Sequence, residues 1–201
     1  MMSWTHETNS TEKLDKAAQR IVVVGTSAGG LAALQVLLPN LPKEFPWPLI
    51  VVQHRGKESD EGLCEFLQRS SNMPIKEPED KEPIAPGRVY LAPRDYHLLI
   101  EKGNFALSTE GPVWYARPSI NVLFESAADA YAENTIGVIL TGANADGARG
   151  LAAIKKCGGL AVVEEPASAR SRAMPEAAIA TTTVDHILPL SEIATLLNNL
   201  C

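Results

Sequence analysis

Apolar residues come in short contiguous runs along this chain, and most runs end in, or are followed at once by, glycine or a polar side chain. The runs are Ile21–Val24, Pro48–His54, Arg88–Pro93, Thr135–Gly142 and Leu160–Glu164, with a shorter one at Asp185–Pro189. Runs of this length that are apolar throughout, rather than at alternate positions, fit strands covered on both faces, as in a parallel sheet. The segments between them carry helical spacing. After the first run, Leu31, Leu34, Val36, Leu37 and Leu38 predict one helix. Ser59 is a candidate cap for a second, and Pro118 or Ser119 starts a third that reaches Tyr131. Ala148 to Cys157, a short helix from Ala173, and Ser191 to Leu200 with Ser191 as its cap complete the set. One stretch breaks the rhythm. His97 to Leu107 alternates around Lys102, Gly103 and Asn104, which predicts a β-hairpin as an antiparallel appendage. Residues 72–95, rich in proline and charge, predict a surface excursion with at most one short strand. The expected fold is α/β: a mostly parallel sheet with helices on both faces, plus the hairpin.

Composition narrows this picture without changing it. The chain has 201 residues, enough for one domain with a sizeable core, and 45% of them are hydrophobic. Met1 to Arg20 is polar and predicts a tail or linker remnant, which leaves residues 21–201 as one domain. A net charge of −6 disfavours a nucleic-acid partner. No apolar run is long enough for a membrane span and none precedes Ile21 as a signal peptide, so direct membrane insertion is not expected. Cys64, Cys157 and Cys201 are odd in number and unclustered, which fits a reducing cytoplasm and no metal site.

The candidate chemistry sits where the apolar runs end. Gly25, Thr26, Ser27, Ala28, Gly29 and Gly30 follow the first strand and open a helix. Position 27 is not glycine, so the dinucleotide fingerprint fails, and no Gly-Lys-Ser/Thr ending makes a P-loop. Gly25 to Gly29 fits G-x-S-x-G, a nucleophile turn. The plain alternative is a strand–helix turn whose serine is only a cap. His54 ends the second run and Asp146 follows the fourth. A serine hydroxyl needs a nearby base, and that base needs an orienting acid, which Ser27, His54 and Asp146 would supply. Their chain order is Ser, His, Asp, whereas an α/β-hydrolase runs Ser, Asp, His. His97 is a rival base whose better reading is structural. Backbone N–H groups of Ala28, Gly29, Gly142, Ala143 and Asn144 are candidates to hold an oxyanion and line the cleft.

These stretches, taken together, resemble the catalytic domain of the CheB family of chemotaxis protein-glutamate methylesterases. The matching segments are Gly25 to Gly30, Val52 to His54, Val89 to Pro93 with His97, Arg117 to Phe124, Gly137 to Gly142, Asp146 to Ala148, and Ala173 to Pro175. The resemblance implies catalytic roles for Ser27, His54 and Asp146, and no metal or other cofactor. It implies a cytoplasmic enzyme acting on methylated chemoreceptor helices, where it hydrolyses γ-glutamyl methyl esters to glutamate and methanol. Some members also deamidate receptor glutamines. The receiver domain usual in the family is not expected within the first 20 residues. Three departures flank the site. Ala143 and Asn144 stand where the family has Met-Gly, Arg55 and Gly56 follow His54 in place of Met-Pro, and Glu164–Glu165 replaces a Gln-Asp pair. Two other readings remain open: a catalytically silent relative that binds a receptor or signalling partner, and an esterase for another substrate.

Overall fold

The computed structural model describes residues 20–55 and 62–201. Its centre is β1 (Ile21–Thr26), in which every residue is buried. β1 pairs in parallel with β2 (Leu49–Gln53) on one side and with β7 (Thr135–Ile139) on the other. β4 (Val89–Leu91) and the two-residue β3 (Ile75–Lys76) extend the sheet beyond β2, and β8 (Leu160–Glu164) and β9 (His186–Leu188) extend it beyond β7. The order is β3-β4-β2-β1-β7-β8-β9, parallel in every pair. Connections leave β1 toward β2 and leave β7 toward β8, in opposite directions. A crevice therefore opens beyond the carboxyl ends of β1 and β7, the usual ligand position in open α/β sheets.

The contiguous apolar runs divide their side chains between two cores. Ile21, Val23, Ile50 and Val52 face one way, against α3 (Ile120–Tyr131), α4 (Ala148–Lys156) and α5 (Ala173–Thr181). Val22, Val24, Leu49 and Val51 face the other way, against α1 (Gly30–Leu37), α2 (Leu63–Gln68) and α6 (Leu190–Asn199). Both faces are covered, as the sequence pattern predicts. The hairpin is also present, as β5 (His97–Glu101) and β6 (Asn104–Ser108). It forms its own two-stranded sheet, and Leu98, Ile100 and Phe105 join the α3 side of the core. The 72–95 excursion borders it: Lys81 N–H donates to Phe105 O, and Phe105 N–H donates to Glu82 O.

Some local expectations change. In α1, Leu34 and Leu37 are buried but Leu31 and Val36 are 37% and 39% exposed, so the apolar stripe is narrower than its spacing suggests. α6 begins at Leu190 with Pro189 as N-cap, which puts Ser191 inside the helix rather than at its cap. The expected cap at Ser59, Gly56 and the tail through residue 19 lie outside the described residues. Among the described residues no helix is long and apolar enough to cross a membrane.

Candidate active site

β1 delivers Ser27 to the crevice. Gly29 takes φ +85°, and α1 starts at Gly30. A Cβ on Gly30 would lie 2.1 Å from Gln53 Oε1 and 2.3 Å from Thr26 Oγ1, so the turn is closed to larger residues. The N-cap of α1 is Gly29, which removes the reading of Ser27 as a mere cap. The backbone of Ser27 is tied to both neighbouring strand ends. Its N–H donates to Thr141 O (2.9 Å), and Gln53 Nε2 donates to its carbonyl (3.0 Å). Its half-buried side chain makes no hydrogen bond among the described residues.

Register brings His54 beside it. Thr26 pairs with Gln53, so Ser27 and His54 are the next positions on adjacent strands, and His54 N–H donates to Thr26 O (3.0 Å). His54 Nε2 donates to Asp146 Oδ2 at 2.8 Å. This bond puts the proton on Nε2 and leaves Nδ1 with a free lone pair. Asp146 is fully buried and receives more than this bond. Ser119 Oγ donates to its Oδ1 (2.9 Å), Ile120 N–H to Oδ2 (2.7 Å) and Asn121 N–H to Oδ1 (3.0 Å). The N-terminus of α3 is thus aimed at the carboxylate, where unpaired N–H groups and the helix dipole favour negative charge. Burial works to raise the pKa of Asp146. The bonds from His54, Asn121 and Ile120 outweigh it, and the carboxyl titrates below its ordinary value of 3.8.

His97 is occupied elsewhere. Its Nδ1 accepts from Ser119 N–H (3.2 Å), its Nε2 donates to Gly111 O (3.0 Å), and it is buried. It positions Ser119, which in turn holds Asp146. Neither Ser119 nor Asn121 stood out in sequence as part of the site. Asn121 Oδ1 also accepts from Gly147 N–H (3.1 Å) and Gly150 N–H (2.8 Å), which fixes the start of α4. The available signal was the Pro118-Ser119-Ile120-Asn121 opening, whose polar residues face the core instead of capping their own helix.

Thr141, at the end of β7, joins the two halves of the crevice. Its carbonyl accepts from Ser27 N–H and from Thr26 Oγ1 (3.0 Å), its hydroxyl donates to Ala28 O (2.8 Å), and its N–H donates to Glu164 Oε2 (2.8 Å). Glu164 is buried, and burial pushes its pKa above the ordinary 4.5, opposed in part by the bond from Thr141. Of the candidate donors, Gly142 is corrected: its N–H is spent on Ser171 O (3.1 Å). The N–H groups of Ala28, Gly29, Ala143 and Asn144 make no hydrogen bond among the described residues. Asn144 Oδ1 accepts from Asp146 N–H (3.1 Å). A cavity of about 390 Å³ opens beside His54 and Asn144. Among the described residues no group of three or more His, Cys, Asp or Glu side chains is placed to hold a metal ion.

A parallel sheet that gathers a serine, a histidine and an aspartate along one edge, from β1, β2 and the loop after β7, suits an α/β protein of the hydrolase class. The chain belongs to the CheB methylesterase family, whose profile matches residues 22–197. A Leptospira interrogans relative, provisionally named protein-glutamate methylesterase/protein-glutamine glutaminase, is 51% identical over 176 residues, or 87% of this chain and 91% of its own length. The Thermotoga maritima protein-glutamate methylesterase/protein-glutamine glutaminase is 37% identical over 178 residues, or 87% of this chain but 52% of its own length. This chain thus spans about half of that longer relative. The crystal structure of the Thermotoga maritima CheB methylesterase catalytic domain superposes with a TM-score of 0.86 at 36% identity, covering 90% of this chain and 98% of that one.

Proposed function

We propose that this protein hydrolyses γ-glutamyl methyl esters on the cytoplasmic helices of chemoreceptors and releases methanol. Ser27, His54 and Asp146 carry the reaction. His54 Nδ1 accepts the Ser27 hydroxyl proton as Oγ attacks the ester carbonyl carbon. The carbonyl π electrons move onto oxygen, and N–H groups of Ala28, Gly29, Ala143 and Asn144 are the donors that hold the resulting oxyanion. The intermediate collapses, the bond to the methoxy oxygen breaks, and that oxygen leaves as methanol with the proton from His54. Water then attacks the acyl-enzyme with His54 again as base, which gives free glutamate and restores Ser27. A glutamine side chain follows the same steps with ammonia as leaving group. This is a second activity, favoured by the names of both relatives.

The observation that carries this reading is the 2.8 Å bond from His54 Nε2 to a fully buried Asp146, one register step from Ser27. The test is incubation of the purified protein with methyl-labelled receptor membranes, scored for released methanol. Release is expected from the wild type, with a fall of roughly 10³-fold or more in Ser27→Ala. A folded Ser27→Ala protein with near-normal release overturns the covalent mechanism. No release from either protein supports the silent binding relative.

A further inference from the structure

The loop between β6 and α3 contains a turn with no evident purpose inside the chain. Val113 N–H donates to Ala116 O (3.1 Å), and Ala116 N–H donates to Val113 O (3.0 Å). The two residues between them, Trp114 and Tyr115, have φ of 51° and 62°. Two central residues at positive φ make a turn that normally takes asparagine or glycine, because a Cβ is strained there. Two bulky aromatic rings occupy it instead. Burial does not offset that strain: Trp114 is 54% exposed and Tyr115 100% exposed. Strained residues that packing does not reward point toward a functional role.

The turn sits next to the proposed catalytic groups, and the residue that follows it is held in place. Arg117 Nη1 donates to Thr109 O (2.7 Å) and Glu110 O (3.0 Å), while its Nη2 donates to Asp95 Oδ1 (2.7 Å). Two residues on, Ser119 holds Asp146. Trp114 and Tyr115 line the same cavity as His54. Three arginines, Arg55, Arg94 and Arg117, line it too; Arg55 is paired with Glu77 (2.7 Å) and Arg117 with Asp95 (2.7 Å), so three cations face two carboxylates and the lining keeps a net positive charge. In a chain of net charge −6 this is a local reversal of sign. Exposed aromatics beside guanidinium groups suit a polypeptide that offers an apolar stripe and acidic side chains together.

We infer that Trp114 and Tyr115 form a docking grip for an acidic amphipathic helix that carries the ester. The rings hold its apolar stripe, and the net positive lining of the cavity favours carboxylates next to the reacting side chain. This deepens the proposed hydrolase reading and rests on it for the identity of the reacting group. The grip predicts selectivity for a helical polypeptide over a small ester with the same chemistry.

The test is a double variant, Trp114→Asn with Tyr115→Gly. It suits the turn's backbone better than the native pair and removes both rings. Wild type and variant are given an acidic amphipathic peptide containing one glutamate methyl ester, and separately N-acetylglutamate γ-methyl ester. The ratio of peptide to small-ester kcat/KM is expected to fall at least tenfold in the variant, mainly through KM. An unchanged ratio overturns the grip, as does an equal fall for both substrates. If neither substrate is hydrolysed by the wild type, the hydrolase reading fails and binding decides the grip. Ser27→Ala protein is then titrated with fluorescently labelled peptide, with and without the double variant. At least tenfold weaker binding by the variant, and weaker binding of a lysine-for-glutamate peptide, sustain the inference. Equal binding overturns it.

Discussion

Asp146 carries more structural weight than a residue that only orients a base. Four donors converge on its two oxygens in a fully buried position. Asparagine offers one oxygen and an NH2 group that would face other N–H donors. Asp146→Asn should therefore unfold more easily as well as lose activity, by about 2–4 kcal/mol. Urea melts at neutral pH measure this, and a variant as stable as wild type contradicts the hydrogen-bond account. Ser27→Ala, whose hydroxyl has no partner among the described residues, should stay within ~1 kcal/mol of wild type in the same melts. Asp146 also sets an acid limit. Its folded pKa lies below its ordinary value of 3.8, so its stabilisation is complete above 3.8 and is lost as pH falls through the depressed folded value. The gathering of Ser27, His54 and Asp146 at one sheet edge was legible in sequence because each ends or follows a contiguous apolar run. The other three donors that hold Asp146 were not. They come from a helix start whose Ser119 reads as an ordinary cap, and only the packing of α3 against β7 turns it toward the crevice.

At the scale of elements, the β7–β8 pair holds an unusual group. The buried carboxyl of Glu164 accepts the N–H of Thr141, which ties β7 to the Ser27 turn. Its folded pKa is raised above 4.5. The neutral form's contribution is therefore fully present below 4.5 and is lost as pH rises through the raised folded value. Glu164→Gln keeps an oxygen for Thr141 and cannot ionise. Its Tm should exceed that of wild type at pH 8 by roughly 2–4 °C for each kcal/mol recovered. The gap should close as pH falls to 4.5 and below. A gap that persists at low pH would show that the gain does not come from ionisation. Element types were largely legible, since apolar runs and helical spacing report the environment of each segment. The narrow stripe of α1, the start of α6 at Leu190 and the Val113–Ala116 turn were not. The first two depend on which neighbours cover a face. The third places tryptophan and tyrosine where turn chemistry favours glycine.

For the molecule as a whole, the sheet order decides when the site exists. The strand that carries Ser27 lies between β2 and β7, and the bonds that lock it to β7 join residues far apart in the chain. Thr26 and Thr141 are separated by 115 positions, and His54 and Asp146 by 92. Closing loops of this size costs chain entropy before any contact repays it, and such pairings slow folding. The local units, α1, α3 and the β5–β6 hairpin, involve no such closure. On dilution from urea, far-UV circular dichroism should recover ahead of ester hydrolysis. Simultaneous recovery would mean that β1 and β7 pair as early as the local elements form. During synthesis, β1 and β2 leave the ribosome long before the acid that their histidine needs. A nascent chain therefore passes most of its elongation with Ser27 and His54 already synthesised but without Asp146 beside them, and the proposed site is complete only when the segment after β7 has docked.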